Sequence, residues 1–163
     1  MILHGFAWRS SKSTALRPKN QKIQTNLNNS HKEIIPLIAE TGGINVMIVD
    51  SSALLEQATD DIIRSAFDSS GQRCSALRLL CIQDEIYNDL LKMLNGSMRE
   101  LKIGNPEDLD TDMGPIINKE SFKKLSSHIE FFKESGMPVH QSTDQKFSNH
   151  IPPTTVSYTH LTL

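Results

Sequence analysis

Cysteine is scarce in this chain of 163 residues, since Cys74 and Cys81 are its only two thiols. Two neighbouring cysteines cannot build the disulfide framework of a small secreted protein, so a reducing, cytoplasmic compartment is expected. Long apolar runs are lacking too, because no stretch reaches the roughly eighteen residues that a membrane-spanning helix needs. We therefore expect neither a disulfide-stapled secreted domain nor a transmembrane segment.

Net charge of one sign is also nearly absent. The chain carries 17 Lys and Arg against 19 Asp and Glu, which gives a formal net charge of -2 at pH 7. Such a balance provides no overall attraction to nucleic acid or to an anionic membrane surface. The length allows one moderate hydrophobic core, so we expect a single domain or a piece of a larger one. Function has to be inferred from particular sites.

The middle of the chain alternates between strand-like and helix-like patterns. Residues 44–50 are short and β-branched, which predicts a buried strand. Ser51 and Ser52 follow it and are good N-caps for a helix. Residues 53–67 predict an amphipathic helix, because apolar side chains recur there at helical spacing: Leu55, Ala58, Ile62 and Ala66. This alternation favours an α/β layered fold.

Two further amphipathic helices are predicted downstream. The first begins near Asp84 and carries an apolar stripe that ends at Leu101, a pattern typical of core packing. The second is capped near Asn118 and ends at Gly136. A weak strand is predicted within residues 139–145.

Metal-ligating residues form no recognisable set. Residues 102–114 are turn-rich and acidic, but they lack the ordered ligand positions of a calcium loop, so a solvated surface loop is favoured over a metal site. His140 and His150 lie far from other ligand types, and both are interpreted as surface histidines.

Two short motifs carry groups suited to covalent chemistry. Cys74 follows Gly71-Gln72-Arg73 in a loop after the first helix, with Gly71 as the expected helix cap, and its small or polar flanks favour exposure over burial. Cys81 lies in an apolar run and is interpreted as a core strand residue. Glu40 opens the turn Glu40-Thr41-Gly42-Gly43, whose glycines permit a sharp turn and a close approach. Each motif alone is a weak signal.

Together, the strings PLIAETGG, IVDSSAL, SAFDSSGQRCSALRLLC and IGNPEDLDTDMGPII resemble the aldehyde dehydrogenase superfamily. The resemblance is to the pyrroline-5-carboxylate (glutamate semialdehyde) dehydrogenase module of bifunctional proline utilization A proteins. It implies an α/β fold, mainly the catalytic domain, with a parallel-type open sheet flanked by helices. It also implies boundaries: residues 21–37 would end the NAD-binding domain, and residues 38–155 would form part of the catalytic domain.

Both ends of the chain depart from this resemblance. Residues 1–32 are basic and acid-poor, which suits either a mitochondrial transit peptide or a segment without a folded role. The second interpretation is preferred, because the resemblance fails in residues 1–20. Residues 156–163 resemble a translated sequencing adapter and are assigned no function.

The resemblance implies roles for six residues. Cys74 would be the nucleophile and Glu40 the general base that activates water for hydrolysis of a thioester. Ser75 would help to hold the substrate carboxylate, with a simple loop hydroxyl as the alternative. Phe67 would line the aldehyde pocket or, equally, belong to the core. Thr41 and Gly42 would contact the NAD cofactor.

The same resemblance implies partners and gaps. The substrate would be a small aldehyde, and the parent protein would carry an FAD-dependent proline dehydrogenase domain and self-associate. The chain lacks counterparts of the family's cofactor-phosphate lysine, oxyanion Asn and Glu-x-Phe-Gly-Pro motif, so we expect it to bind NAD poorly on its own. Two other classes stay open: a cysteine hydrolase with a histidine base, and a non-catalytic interaction module.

Overall fold

The structure, a computed structural model, describes residues 2–4, 25–26, 43–145 and 148–158. The chain divides into two units, one made of residues 1–7 and 44–163 and the other of residues 8–43. Of the second unit, only Thr25 and Asn26, which are helical, and Gly43 are described. The predicted roles of Glu40, Thr41 and Gly42 therefore fall outside the described residues.

The described residues of the first unit form a five-stranded sheet and three α-helices. In chain order the strands are β1 (Ile2–His4), β2 (Asn45–Val49), β3 (Leu77–Ile82), β4 (Val139–Gln141) and β5 (Thr154–Val156). The helices are α1 (Leu55–Phe67), α2 (Tyr87–Glu100) and α3 (Lys119–Glu134). The strand order is β2-β3-β1-β5-β4. Strands β2 and β3 are parallel and are joined through α1, whereas the remaining neighbours are antiparallel.

The strand–helix–strand unit predicted for the middle of the chain is confirmed, but β2 is not buried on both faces. Val49 is 4% exposed, whereas Val46 is 53% and Ile48 is 78% exposed. The reason is tertiary: only the face that carries Met47 and Val49 packs on the core, and the side chains that alternate with them face away from it. The expectation of a fully buried strand was therefore wrong for one face.

Helix capping follows the sequence in one case and departs from it in another. Asn118 precedes α3, and its side-chain oxygen accepts a hydrogen bond from the Ser121 N–H, as predicted. Ser51 and Ser52 do not cap α1, whose N-cap is Leu54. Instead, the Asp50 carboxylate accepts hydrogen bonds from the backbone N–H and hydroxyl of Ser52, and these bonds lower the pKa of Asp50.

The hydrophobic core lies between the β2–β3 pair and the helices α1 and α2. Its buried members come from both strands, both helices and the loop that follows α2: Val49, Ile62, Ala66, Phe67, Leu77, Leu80, Leu90, Leu94, Met98 and Met113. The Leu and Met stripe of the second predicted helix thus serves packing, as expected. No helix among the described residues is long and apolar enough to cross a membrane.

The acidic loop of residues 102–114 folds around Lys102. Its Nζ lies 2.6 Å from the Asp110 carboxylate, and its backbone N–H donates to Asp112 at 2.8 Å. The ion pair raises the pKa of Lys102 and lowers that of Asp110, although both side chains are exposed. Two of the clustered carboxylates are thus held by one lysine.

Two features of the antiparallel half were not predicted. Strand β1 arises from a segment that carried no strand signal, and it lies between β3 and β5.

His140 and His150 are half-buried rather than fully at the surface, because His140 lies within β4 and the His150 Nε2 lies 3.1 Å from the Gly104 carbonyl oxygen. Burial, with a smaller contribution from Arg99, lowers the pKa of His140.

Leu94 and Leu109 give a matched test of the core. Leu94 is fully buried in α2, whereas Leu109 is fully exposed in the acidic loop. We expect Leu94→Ala to lower the free energy of unfolding by about 2–5 kcal/mol, because it removes buried methyl groups and leaves a cavity. Leu109→Ala should change it by less than about 0.5 kcal/mol. Urea denaturation checks both values, and equal effects would contradict this core.

Candidate active site at the Cys74 loop

The loop between α1 and β3, residues 68–76, presents Cys74 and is called the Cys74 loop. Helix α1 ends at Phe67, and a short 3-10 turn over Asp68–Gly71 follows it. Strand β3 begins at Leu77, so the loop lies at the amino end of the parallel β2–β3 pair. Cys74 is exposed, which confirms the predicted exposure in a loop. Cys81 is half-buried within β3.

The first half of the loop adopts a left-handed backbone. Ser69 and Ser70 each have a φ of 55°, and Gly71 has a φ of 65°. L-residues other than glycine disfavour this region, so two consecutive serines here hold backbone strain. Gly71 is therefore not the cap of α1, whose C-cap is Asp68, but the last residue of a left-handed turn. The turn redirects the chain toward β3.

Contacts with residues 114–117 hold this strained segment in place. The Ser70 hydroxyl donates a hydrogen bond of 2.7 Å to the Gly114 carbonyl. The Gln72 side chain accepts from the Ile117 N–H at 2.8 Å and donates to the Pro115 carbonyl at 3.1 Å. Gln72, known from sequence only as part of the motif, therefore links the loop to the segment before α3.

Cys74 itself lies in a reverse turn. The Ala76 N–H donates to the Arg73 carbonyl at 3.2 Å, which places Cys74 and Ser75 at the two central positions. Both central residues are exposed. The thiol is thus presented to solvent by a hydrogen-bonded turn, with Ser75 beside it.

Asn45 anchors this turn to strand β2. Its side-chain amide donates to the Cys74 carbonyl at 2.8 Å and to the Ala76 carbonyl at 2.9 Å. Asn45 is the first residue of β2 and comes two positions after Gly43. The strand that continues directly from the Glu40 motif therefore holds the backbone of the candidate nucleophile.

Arg78, in strand β3, also holds the backbone of the Cys74 loop. Its side chain is buried, with 6% exposed, and its Nη2 donates to the Gly71 carbonyl at 2.6 Å and to the Arg73 carbonyl at 3.3 Å. Burial lowers the pKa of Arg78 to about 10, so the guanidinium remains charged at neutral pH. The available sequence signal was an arginine inside an apolar strand, and a buried cation needs nearby acceptors.

The structure places Phe67 in the core and Ser75 at the surface. Phe67 is 1% exposed and belongs to the core cluster, which fits the core alternative left open for it. Ser75 is exposed beside Cys74, so its proposed contact with a substrate carboxylate stays a prediction. Asn45 was missed because its contacts to the loop follow from the pairing of β2 with β3. Arg78 was missed although an arginine inside an apolar strand was an available signal, and its acceptors lie only five and seven positions before it.

Fold and loop together define an α/β protein that presents an exposed cysteine at the amino end of a parallel strand pair. The model of the aldehyde dehydrogenase family matches residues 19–160, and the chain belongs to that family.

Curated relatives share a large part of this chain. It is 58% identical over 108 residues to bifunctional protein PutA of Escherichia coli strain K12, a match that covers 66% of this chain and 8% of that protein. It is 40% identical over 100 residues to 1-pyrroline-5-carboxylate dehydrogenase of Bacillus subtilis, covering 61% and 19% respectively. The chain thus spans less than a fifth of the length of these relatives.

Solved structures share the fold. A crystal structure of bifunctional proline utilization A superposes with a TM-score of 0.73 at 42% identity, covering 84% of this chain and 14% of that one. Betaine aldehyde dehydrogenase of Staphylococcus aureus, solved with NAD+ and a BME-modified cysteine, superposes with a TM-score of 0.70 at 26% identity, covering 85% and 29%.

The left-handed serines give a matched test of the loop. Ser69→Gly should raise the free energy of unfolding by up to about 1 kcal/mol, because the left-handed cost of an L-residue exceeds the entropy cost of glycine. Ser70→Gly gains the same relief but loses the hydrogen bond to Gly114, so it should be less stable than Ser69→Gly by about 1 kcal/mol. Thermal and urea unfolding measure the difference, and a more stable Ser70→Gly would contradict this loop geometry.

Proposed function

We propose that this chain is part of the catalytic region of an L-glutamate γ-semialdehyde dehydrogenase, which oxidises the aldehyde formed from 1-pyrroline-5-carboxylate to L-glutamate in proline catabolism. Family membership and relatives named 1-pyrroline-5-carboxylate dehydrogenase support the substrate class. The observation that carries the chemistry is the exposed Cys74 in a turn whose carbonyls are held by Asn45 and Arg78.

The first step belongs to Cys74. Its thiolate sulfur attacks the aldehyde carbon, a C–S bond forms, and the carbonyl electron pair moves onto oxygen to give a thiohemiacetal oxyanion. The Cys74 N–H would donate a hydrogen bond to that oxygen. NAD supplies the hydride acceptor that turns this adduct into a thioester. The exposed thiol fits a cofactor bound beside it, and Thr41 and Gly42 are the residues proposed to contact that cofactor.

The second step belongs to Glu40. Its carboxylate would take a proton from a water molecule, which attacks the thioester carbon and breaks the C–S bond. L-glutamate leaves, and Cys74 recovers its thiolate. Ser75, next to the nucleophile, would donate a hydrogen bond to the carboxylate at the far end of the substrate.

The proposed function extends to the parent protein. Relatives named bifunctional protein PutA support a bifunctional parent. We propose that this parent is cytoplasmic, carries an FAD-dependent proline dehydrogenase domain and self-associates. The 163-residue chain should bind NAD poorly and turn over little, because it spans less than a fifth of the length of the relatives that it matches. Clear NADH formation by the chain alone from glutamate semialdehyde would contradict this part of the proposal.

A second candidate function is a non-catalytic interaction module. Strand β2 is an edge strand, and Ile44, Val46 and Ile48 expose apolar side chains on and beside it. An open strand edge with apolar side chains can pair with another chain. Such a module would tolerate the loss of the Cys74 thiol, whereas a dehydrogenase would not.

Cys74 and Cys81 allow the substrate proposal to be tested without NAD. Reversible addition of glutamate semialdehyde to Cys74 should slow the alkylation of that residue by iodoacetamide, followed by peptide mass spectrometry. Protection should require less glutamate semialdehyde than propionaldehyde, because the substrate carboxylate adds a contact. Cys81→Ser should show the same protection.

The Cys74→Ser variant supplies the complementary control. It should remove the protectable site altogether while leaving the thermal unfolding temperature close to that of the original chain, since Cys74 is exposed. If Cys74 is alkylated equally fast with and without either aldehyde, the proposal fails.

A further inference from the structure

Arg78 is a buried cation whose described hydrogen-bond acceptors are all backbone carbonyls. Its Nη2 donates to Gly71 and Arg73, its Nη1 lies 3.4 Å from the Leu77 carbonyl, and its Nε is buried without a partner. Burying a charge without a carboxylate partner is costly. The hydrogen bonds of this guanidinium go to the backbone of the loop that carries Cys74. The peptide bond between Arg73 and Cys74 is the one that matters for the Cys74 N–H.

The peptide bond between Arg73 and Cys74 is held at its oxygen. The Arg73 carbonyl accepts from the Arg78 guanidinium at 3.3 Å and from the Ala76 N–H at 3.2 Å. A trans peptide is planar, so its N–H points in the direction opposite to its C=O. The Cys74 N–H therefore points away from the buried guanidinium, and among the described residues it donates to no protein group.

Resting on the proposed function, we propose that Arg78 is a positioning residue that orients and polarises the Cys74 N–H for the oxyanion formed on attack by the Cys74 sulfur. The positive charge on the carbonyl side of the peptide draws electron density from the amide and makes its N–H a stronger donor. No part of the sequence motif around Cys74 assigns this role to Arg78.

Asn45 completes the restraint on the next peptide. Its side-chain amide holds the Cys74 carbonyl, so the two peptide bonds that flank the Cys74 Cα are each fixed by a side chain. Asn45 is neutral, however, whereas Arg78 is charged. Arg78 therefore both orients and polarises the Cys74 N–H. Its loss should destabilise the oxyanion while changing the exposure of the Cys74 sulfur little.

Two reagents separate these effects in the 163-residue chain. With p-nitrophenyl acetate, the Cys74 thiolate attacks the ester carbon, an oxyanion forms and collapses, the C–O bond breaks, and p-nitrophenolate leaves. With iodoacetamide, the same thiolate displaces iodide and no oxyanion forms. The ratio of the acylation rate to the alkylation rate therefore reports on oxyanion stabilisation alone.

Arg78→Lys keeps a positive charge but cannot hold two carbonyls with a planar fork. We expect acylation of Cys74 to fall about 10-fold or more, with alkylation changed less than about 2-fold. Arg78→Met, which also removes the charge, should lower acylation further. Arg99→Lys, at an exposed position in α2, is the matched control and should leave both rates unchanged.

Each outcome decides the matter. Acylation and alkylation that fall in proportion, or acylation that does not fall, would overturn the role of Arg78. If neither Arg78 variant folds by circular dichroism, the Cys74 amide of the original chain should still shift downfield in ¹⁵N–¹H spectra on addition of glutamate semialdehyde, and an unchanged signal would overturn it. Cys74→Ser that releases p-nitrophenolate as fast as the original chain would instead refute the proposed function.

Discussion

The pair of hydrogen bonds from Asn45 to the Cys74 and Ala76 carbonyls is the constraint on which the candidate site depends. Asn45 and Cys74 are 29 positions apart in sequence, and only the parallel pairing of β2 with β3 brings them together. The helix α1 makes that pairing possible, because parallel strands need a crossover connection. The position of the turn that carries Cys74 therefore depends on the β2–β3 pair and on the core in which α1 packs against it.

The Cys74 loop is strained at Ser69 and Ser70, which occupy left-handed conformations. Ser70 and Gln72 tie this half of the loop to residues 114–117. Asn45 and Arg78 hold the backbone carbonyls around Cys74. Strain of this kind persists only where the surroundings over-determine the conformation. The result is an exposed thiol on a rigid backbone, which is what a nucleophile with a fixed amide donor requires.

Local patterns in the sequence predicted much of the first unit. Helices α1, α2 and α3 could be predicted from apolar side chains at helical spacing. The Asn118 cap could be predicted because it depends on one local hydrogen bond, from the Ser121 N–H to the Asn118 side chain. Ser51 and Ser52 misled because Ser52 donates both its N–H and its hydroxyl to Asp50, and the helix begins only at Leu55. These hydrogen bonds depend on backbone geometry that residue preferences do not encode.

The remainder depends on tertiary structure. The exposure of Ile48 follows from β2 packing on the core through one face, and the strand β1 is too short to leave a periodic signal. Cys74 could be singled out by its flanking motif, whereas the contact of Asn45 appears only once β2 and β3 are paired, and that of Arg78 only once the loop folds back over it. The sequence therefore indicated Cys74 as the candidate nucleophile, and the structure shows how its backbone is held.

We propose that Cys74 forms an acyl intermediate which Glu40 then helps to hydrolyse. The most direct test of this proposal is time-resolved mass spectrometry of the chain and its Glu40→Gln variant after mixing with p-nitrophenyl acetate. The account predicts acetylation on the Cys74 peptide in both proteins, with an acetyl group that persists longer in Glu40→Gln. Acetylation of Cys81 instead, or an equal lifetime of the acetyl group in both proteins, would contradict it.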